Sequence, residues 1–176
     1  MKGIDPAKLT IIRYPDPRLS QICDEVTEFN DNLKAVAERM LELMFDGAGV
    51  GLAAPQVAVM KRIFVCNPTG KPADDAVYIN PVLESLDGAA DGEEGCLCLP
   101  GVIVPVRRSQ RCVIRAKDLD GQEVILAGED LIARIWQHET DHLNGVTIAD
   151  RMSPASKITN RRAMKKLEDD YQAGRK

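Results

Sequence analysis

The chain has 176 residues, of which 44% are hydrophobic, so its length and composition predict one domain, residues 1–176, with a substantial core. A net charge of −4 argues against direct nucleic-acid binding, which needs a concentrated basic surface, and no run of about 18 apolar residues indicates a membrane span. Its five cysteines are an odd, scattered set in a chain too long to need disulfides, which predicts a reducing, cytoplasmic location.

The first part of the chain is predicted to hold an extended segment, a helix and a series of strands. Two prolines around Asp16 in YPDPRLSQ, residues 14–21, favour an extended segment over a helix. Between residues 30 and 45, apolar side chains recur at helical spacing behind Asn30, a suitable N-cap, which predicts an amphipathic helix. Strands are predicted at RIFVC, AVYINPVLE, VIVPVR, QRCVIRAKD and QEVILA. Asp120-Gly121 predicts a hairpin between the last two of them.

Two more helices are predicted towards the end of the chain. One covers residues 129–143 and is ended by Asn144-Gly145, which is typical of a left-handed C-cap. The other covers residues 154–171. A helix, then antiparallel strands, then helices predict an α+β fold with the strands around the central helix of residues 129–143.

The two histidines of the chain both lie on this central helix, at positions 138 and 142. Residues i and i+4 lie one above the other on a helix, so His138 and His142 can bind the same metal ion. Glu139 sits about 100° further round, where it can reach a metal-bound water, and the three form the pattern HExxH. The residues leave open whether Asp141 or another carboxylate holds a ligand histidine by its second N–H.

A catalytic metal site needs a third protein ligand, and the outstanding candidate is Cys96 in EEGCLCLP, residues 93–100. The histidines alone do not select it, because an isolated cysteine is more often a buried structural thiol. A set of one cysteine and two histidines permits Zn²⁺, Fe²⁺, Co²⁺ or Ni²⁺.

Three stretches together resemble the signature motifs of the peptide deformylase family, in order and at familiar separations: GVGLAAPQ at 49–56, EGCLCLP at 94–100 and QHETDHLNG at 137–145. The segments IIRYPDPRL and DRMSPASK resemble that family too. The resemblance implies removal of the formyl group from N-formylmethionyl polypeptides, with Fe²⁺ as the physiological ion. It also implies metal ligation by Cys96, His138 and His142, catalysis by Glu139, and carbonyl binding by Gln56 and the N–H of Leu97.

Hydrolysis of a formamide gives each of these residues a task. A bound divalent ion lowers the pKa of water from 15.7 to about 7. Glu139 can take the proton of that water and pass it to the leaving amine, while Gln56 and Leu97 stabilise the oxyanion. An apolar pocket for the methionine side chain is expected at Gly49, Val50, Gly51, Leu131 and Ile135, with Arg134 at its mouth.

One position departs from the family pattern, since Cys98 stands where serine is usual. If residues 96–98 are extended, Cys96 and Cys98 point to the same side. We expect a benign replacement, because a fourth protein ligand would fill the position that water needs. The alternative is a site prone to oxidation through the two thiols.

The last helix carries a run of basic residues, which is either a solvated face or a docking surface for the ribosome. They are Lys157, Arg161, Arg162, Lys165 and Lys166.

Two other functions compete with deformylation. A zincin-type endopeptidase shares HExxH but normally takes its third ligand downstream, where this chain has no histidine. A non-catalytic metal-binding or ribosome-associated protein would leave Glu139 without a purpose.

Overall fold

A computed structural model describes residues 3–174 of the chain. Within these residues, three helices are longer than one turn: α1 (Asp31–Asp46), α2 (Asp130–Leu143) and α3 (Pro154–Ala173). The same part of the chain contains seven strands: β1 (Gly51–Ala53), β2 (Ile63–Cys66), β3 (Ala76–Asp87), β4 (Ala90–Glu94), β5 (Val104–Arg108), β6 (Arg111–Lys117) and β7 (Glu123–Glu129). The predicted α+β class and the three predicted helices are confirmed. None of the helices within residues 3–174 has the length and apolar character to cross a bilayer.

The strands form two antiparallel sheets. The larger has the order β1-β2-β3-β6-β7, and the smaller is a ribbon of β4 and β5. The predicted hairpin at Asp120-Gly121 joins β6 to β7, and Gly121 has the positive φ of +78° that such a turn uses. β1 and β4 were not predicted, because β1 has only three residues and β4, ADGEE, lacks the apolar and β-branched residues that mark strands.

The helix α1 forms as its sequence pattern predicts. The Asn30 side chain accepts a hydrogen bond from the N–H of Leu33 at 3.0 Å, which satisfies one of the free donors at the helix start. Its apolar stripe is fully buried against β1 and β2, so packing rather than helix propensity holds it in place. The stripe consists of Leu33, Val36, Ala37, Met40 and Met44.

The prediction of an extended segment at residues 14–21 is wrong for its second half, since Pro17–Ser20 forms a turn of 3-10 helix. Proline is restrictive before a helix but suits its first position, where no N–H is needed. Asp16 caps this turn by accepting from the N–H of Arg18 at 3.0 Å. Asp16 followed by Pro17 therefore marks the start of a 3-10 helix.

The helix α2 contacts all five strands of the larger sheet. Its buried face includes Trp136, whose ring meets Tyr78 of β3 edge-on with ring centroids 5.7 Å apart. The helix ends at the predicted cap, where Gly145 has φ +73° and a Cβ would lie 2.8 Å from the backbone of Ser20. This packing fixes the position of α2 on the sheet.

The ribbon and α3 enclose a separate part of the core. Leu167 of α3 packs in one buried cluster with Leu99, Val102 and Ile148. Asn160, also on α3, donates a hydrogen bond to the carbonyl of Ile103 at 2.9 Å. α3 is therefore an integral part of the packing around the turn that follows β4.

Candidate functional site

Three side chains with soft or imidazole donors converge beside α2. The rings of His138 and His142 have centroids 5.1 Å apart, and the Sγ of Cys96 lies 3.2 Å from Nε2 of His142. The ligand atoms of all three lie within 4.8 Å of one another. Three such donors around one ion leave one position of a tetrahedral sphere open, as in catalytic zinc sites.

A buried carboxylate, Glu94, fixes the orientation of His138. It ends β4 and accepts a hydrogen bond from Nδ1 of His138 at 2.9 Å, which turns Nε2 towards the convergence point. Arg108 of β5 forms a two-point ion pair with Glu94, and the side chains of both are only 4% exposed. Burial raises the pKa of Glu94, but the hydrogen bonds from Arg108 and His138 outweigh it and hold that pKa well below its usual value.

The same ion-pair group ties the ribbon to the helix. Arg134 of α2 donates to Glu94 at 2.7 Å, to the carbonyl of Val106 in β5 at 2.9 Å, and to that of Ala90 in β4 at 2.7 Å. Asp141, which the sequence offered as a partner for a ligand histidine, instead binds Arg108 at 2.6 Å. The partner of His138 is Glu94.

Glu139 is 4% exposed and faces β1. Burial raises the pKa of its carboxyl to about 7, and the neighbouring charge of His138 opposes that rise. Its Oε2 is buried without a hydrogen-bond partner among residues 3–174. A Cβ at Gly51 would overlap Oε1 of Glu139 and lie 2.9 Å from its Cδ. The glycine therefore makes room for the buried carboxylate of Glu139.

Gln56 approaches the donor group from the other side. It lies in a 3-10 helix, Ala54–Val57, and its Oε1 accepts from the N–H of Ala53 at 2.7 Å, which fixes the amide. Its Nε2 donates to the Sγ of Cys96 at 3.2 Å. Since a primary amide has two N–H groups, one remains for a further acceptor.

A cavity of about 360 Å³ lies beside this donor group, although Glu139 and His142 are not among the residues that line it. Gln56, Cys96, Leu97 and His138 form part of its wall. All six residues expected at a methionine pocket border it too: Gly49, Val50, Gly51, Leu131, Arg134 and Ile135. Leu131 is 50% exposed and Ile135 is 4% exposed, so the apolar lining deepens towards the donor group.

Comparison with known proteins places this arrangement in a family. A model of the polypeptide deformylase family matches residues 8–158. This chain belongs to the polypeptide deformylase family. It is 40% identical over 160 residues to the peptide deformylase of Acidobacterium capsulatum, covering 90% of this chain and 94% of that one. It is 43% identical over 157 residues to the peptide deformylase of Thermotoga petrophila, and the alignment covers 89% of this chain and 92% of that one. A crystal structure of peptide deformylase from Plasmodium falciparum superposes with a TM-score of 0.89 at 38% identity, covering 93% of this chain and 98% of that one.

Cys98, where the sequence departs from the deformylase pattern, contacts Cys96 although the segment is not extended. Residues 96–99 form a turn rather than an extended strand, in which the N–H of Leu99 donates to the carbonyl of Cys96 at 2.9 Å. The turn brings the two Sγ atoms to 3.1 Å. Cys98 does not belong to the group of donors within 4.8 Å of one another.

Glu94 and Arg108 are site residues that reasoning from sequence missed. Adjacent Glu93 and Glu94 in the deformylase motif gave no sign of which carboxylate turns inward. For Arg108 a signal existed, because strand periodicity places it on the same face as Val104 and Val106, which are buried. A charged residue that continues an apolar face indicates a buried ion pair.

Proposed function

We propose that this cavity is where the chain removes the formyl group from N-formylmethionyl polypeptides, acting in the cytoplasm as a single domain of residues 1–176. The family's activity is hydrolysis of that formamide, and the chain is such a hydrolase. The observation that carries the proposal is the meeting of Cys96, His138 and His142 beside the buried carboxylate of Glu139.

The donor set fits a resident divalent metal. A thiol and two imidazoles suit Fe²⁺, Zn²⁺, Ni²⁺ or Co²⁺. We expect Fe²⁺ as the physiological ion because the resemblance to the family implies it. Cys96, His138 and His142 would hold it, with Glu94 orienting the ring of His138. When bound, the ion supplies Lewis acidity that lowers the pKa of a water molecule from 15.7 to about 7.

Glu139 moves the protons of the reaction. Burial raises the pKa of its carboxyl, and the carboxylate can accept a proton from the attacking water and donate it to the amine nitrogen as the C–N bond breaks. The Oε2 atom of Glu139 can accept that proton, because it has no hydrogen-bond partner among residues 3–174. General acid–base catalysis of this kind contributes about 10²- to 10⁴-fold in rate.

Gln56 and the N–H of Leu97 stabilise the oxyanion that forms on the formyl group. The amide of Gln56 is held by Ala53 and Cys96 and has one N–H left for the substrate oxygen. Both residues border the cavity beside Cys96. A donor of this type is usually worth about 3 to 4 kcal/mol.

The methionine side chain binds among the apolar residues of the cavity. Gly49, Val50 and Gly51 form one wall, and Leu131 and Ile135 form another along α2. Arg134 lies at the same cavity, but its guanidinium is engaged by Glu94 and by backbone carbonyls. We therefore assign Arg134 to holding the ribbon in place and the apolar residues to the methionine side chain.

The test compares metal-loaded protein and Glu139→Ala on formyl-Met-Ala-Ser and on an acetylated peptide with only internal bonds. We expect formate release from the first substrate alone, and its loss by at least about 100-fold in the variant. Formate release that survives the substitution would reject Glu139 as the proton carrier. Cleavage of internal bonds would instead support an endopeptidase.

The ribosome is the proposed macromolecular partner, through the first half of α3. Lys157, Arg161 and Arg162 are exposed there, whereas Lys165 and Lys166 pair with Asp169 and Asp170 of the same helix. Because α3 also contributes to the core, truncation would disturb the fold. Arg161→Glu combined with Arg162→Glu should therefore weaken co-sedimentation with ribosomes while hydrolysis of a small formyl peptide is unchanged. Equal co-sedimentation would reject the docking proposal.

A further inference from the structure

The turn after β4 places two thiols in direct contact. The Sγ atoms of Cys96 and Cys98 are 3.1 Å apart. The turn is held on both sides, because the N–H of Leu99 donates to Cys96 and the N–H of Tyr14 donates to the carbonyl of Cys98, each at 2.9 Å. A disulfide bond is about 2.05 Å long, so the two sulfurs need to approach by only about 1 Å.

The two thiols differ in access to solvent. Cys96 borders the cavity, whereas Cys98 is fully buried behind it. A small oxidant that enters the cavity therefore meets Cys96 first. Cys98 is the thiol that can then react with the oxidised sulfur of Cys96. This is the arrangement of an oxidisable cysteine beside a resolving cysteine.

The other three cysteines have no comparable setting. Cys23, Cys66 and Cys112 are buried in one apolar cluster, and none of them borders the cavity that Cys96 borders. Oxidation of the folded protein is thereby directed to the pair.

We propose that Cys96 and Cys98 form a reversible disulfide when the protein meets a peroxide, which makes the pair a modification site. In the first step the Cys96 sulfur attacks hydrogen peroxide, the O–O bond breaks, and a sulfenic acid and one water form. In the second step the Cys98 sulfur attacks that sulfur, the S–O bond breaks, and the Cys98 proton leaves with the hydroxyl as a second water. The thiols lose two electrons in total, and the peroxide gains them.

The bridge would switch the proposed metal site off and protect it. A disulfide sulfur no longer offers the thiolate that binds the ion, so the ion should leave. A bridge across one intervening residue closes a small ring, and strained bridges are easily reduced. Without a second thiol, the sulfenic acid would go on to sulfinic acid, which a thiol reductant does not reverse. The release of metal rests on the proposed role of Cys96 as a ligand, whereas formation of the bridge does not.

The experiment treats zinc-loaded protein with hydrogen peroxide and follows three readouts. These are the mass of the peptide containing residues 96 and 98, zinc release to a colorimetric chelator, and recovery of zinc binding after dithiothreitol. Cys98→Ser lacks the resolving thiol but keeps Cys96, and Cys112→Ala removes a buried thiol elsewhere. In the parent protein and in Cys112→Ala we expect a peptide lighter by two hydrogen atoms, release of the zinc, and recovery by the reductant.

Cys98→Ser should instead gain oxygen atoms on Cys96 and fail to recover. The proposal is overturned if the parent protein gains oxygen on Cys96 without forming the bridge, or if Cys98→Ser recovers as fully as the parent. A bridge that forms while zinc stays bound would uphold the modification site and reject Cys96 as a metal ligand. The failure of the proposed function is thereby distinguished from the failure of this inference.

Discussion

Replacing Gly51 by alanine should displace the carboxylate of Glu139. The added Cβ would overlap Oε1 and lie 2.9 Å from Cδ, whereas carbon atoms pack at about 3.5–4.0 Å. The carboxylate must therefore retreat by about 0.6–1.1 Å, and a misplacement of about 1 Å in a catalytic group costs about 10²-fold in rate. We expect kcat/KM for formyl-Met-Ala-Ser to fall about 100-fold, which is about 2.7 kcal/mol. The buried overlap should also lower the free energy of unfolding by about 1–3 kcal/mol.

A double-mutant cycle separates this contact from a general effect of alanine in β1. In the Glu139→Ala background the overlapping atoms are absent, so Gly51→Ala should then change the free energy of unfolding by less than about 0.5 kcal/mol. Urea denaturation of the four proteins measures that difference, and Gly174→Ala, where a Cβ would meet nothing closer than 3.6 Å, is the control for glycine replacement. An equal cost of Gly51→Ala in both backgrounds, or an unchanged kcat/KM, would refute the reasoning.

Three further predictions concern the surroundings of the site. Glu94→Gln keeps the shape but removes the charge that holds His138, so metal affinity should fall about 10- to 100-fold in a chelator competition titration; unchanged affinity would contradict that role. Burial raises the pKa of Cys66 to about 12, so its thiol should not react with Ellman's reagent at pH 8 until the protein is unfolded, and rapid reaction of the folded protein would count against it. In Gly128→Ala the Cβ would lie 2.8 Å from Cη2 of Trp136, so denaturation followed by tryptophan fluorescence should show a loss of about 1–3 kcal/mol, and equal stability would mean that the ring moves aside freely.

The parts of the fold that sequence predicted well are those fixed by local interactions. The spacing of apolar residues and a single capping side chain define α1, and the Asp-Gly pair defines the turn between β6 and β7. The 3-10 turn at Pro17–Ser20 differs from the predicted extended segment, because a proline after a capping aspartate can start a helix as well as prevent one.

The proximity of Cys96 and Cys98 does not depend on the extended conformation that the sequence argument assumed. An extended strand and a turn of residues 96–99 both place side chains two apart near each other, so the sequence could not distinguish them. The difference matters chemically. In the turn, closed by the N–H of Leu99, Cys98 contacts Cys96 and remains outside the donor group.

The position of the third donor, Cys96, could not be predicted from local sequence pattern. His138 and His142 share a helix face by spacing alone, but Cys96 reaches them only because the β4–β5 ribbon is fastened to α2. That attachment is made by Arg134, which bonds to both strands, and by Glu94, which joins Arg108 to His138. The carboxylate of Glu94 thus helps to position the ribbon next to Cys96 and also orients the imidazole of His138. Because these contacts depend on tertiary pairing, resemblance to a family could identify the thiol as a ligand, but only the packed structure identifies the group that brings it there.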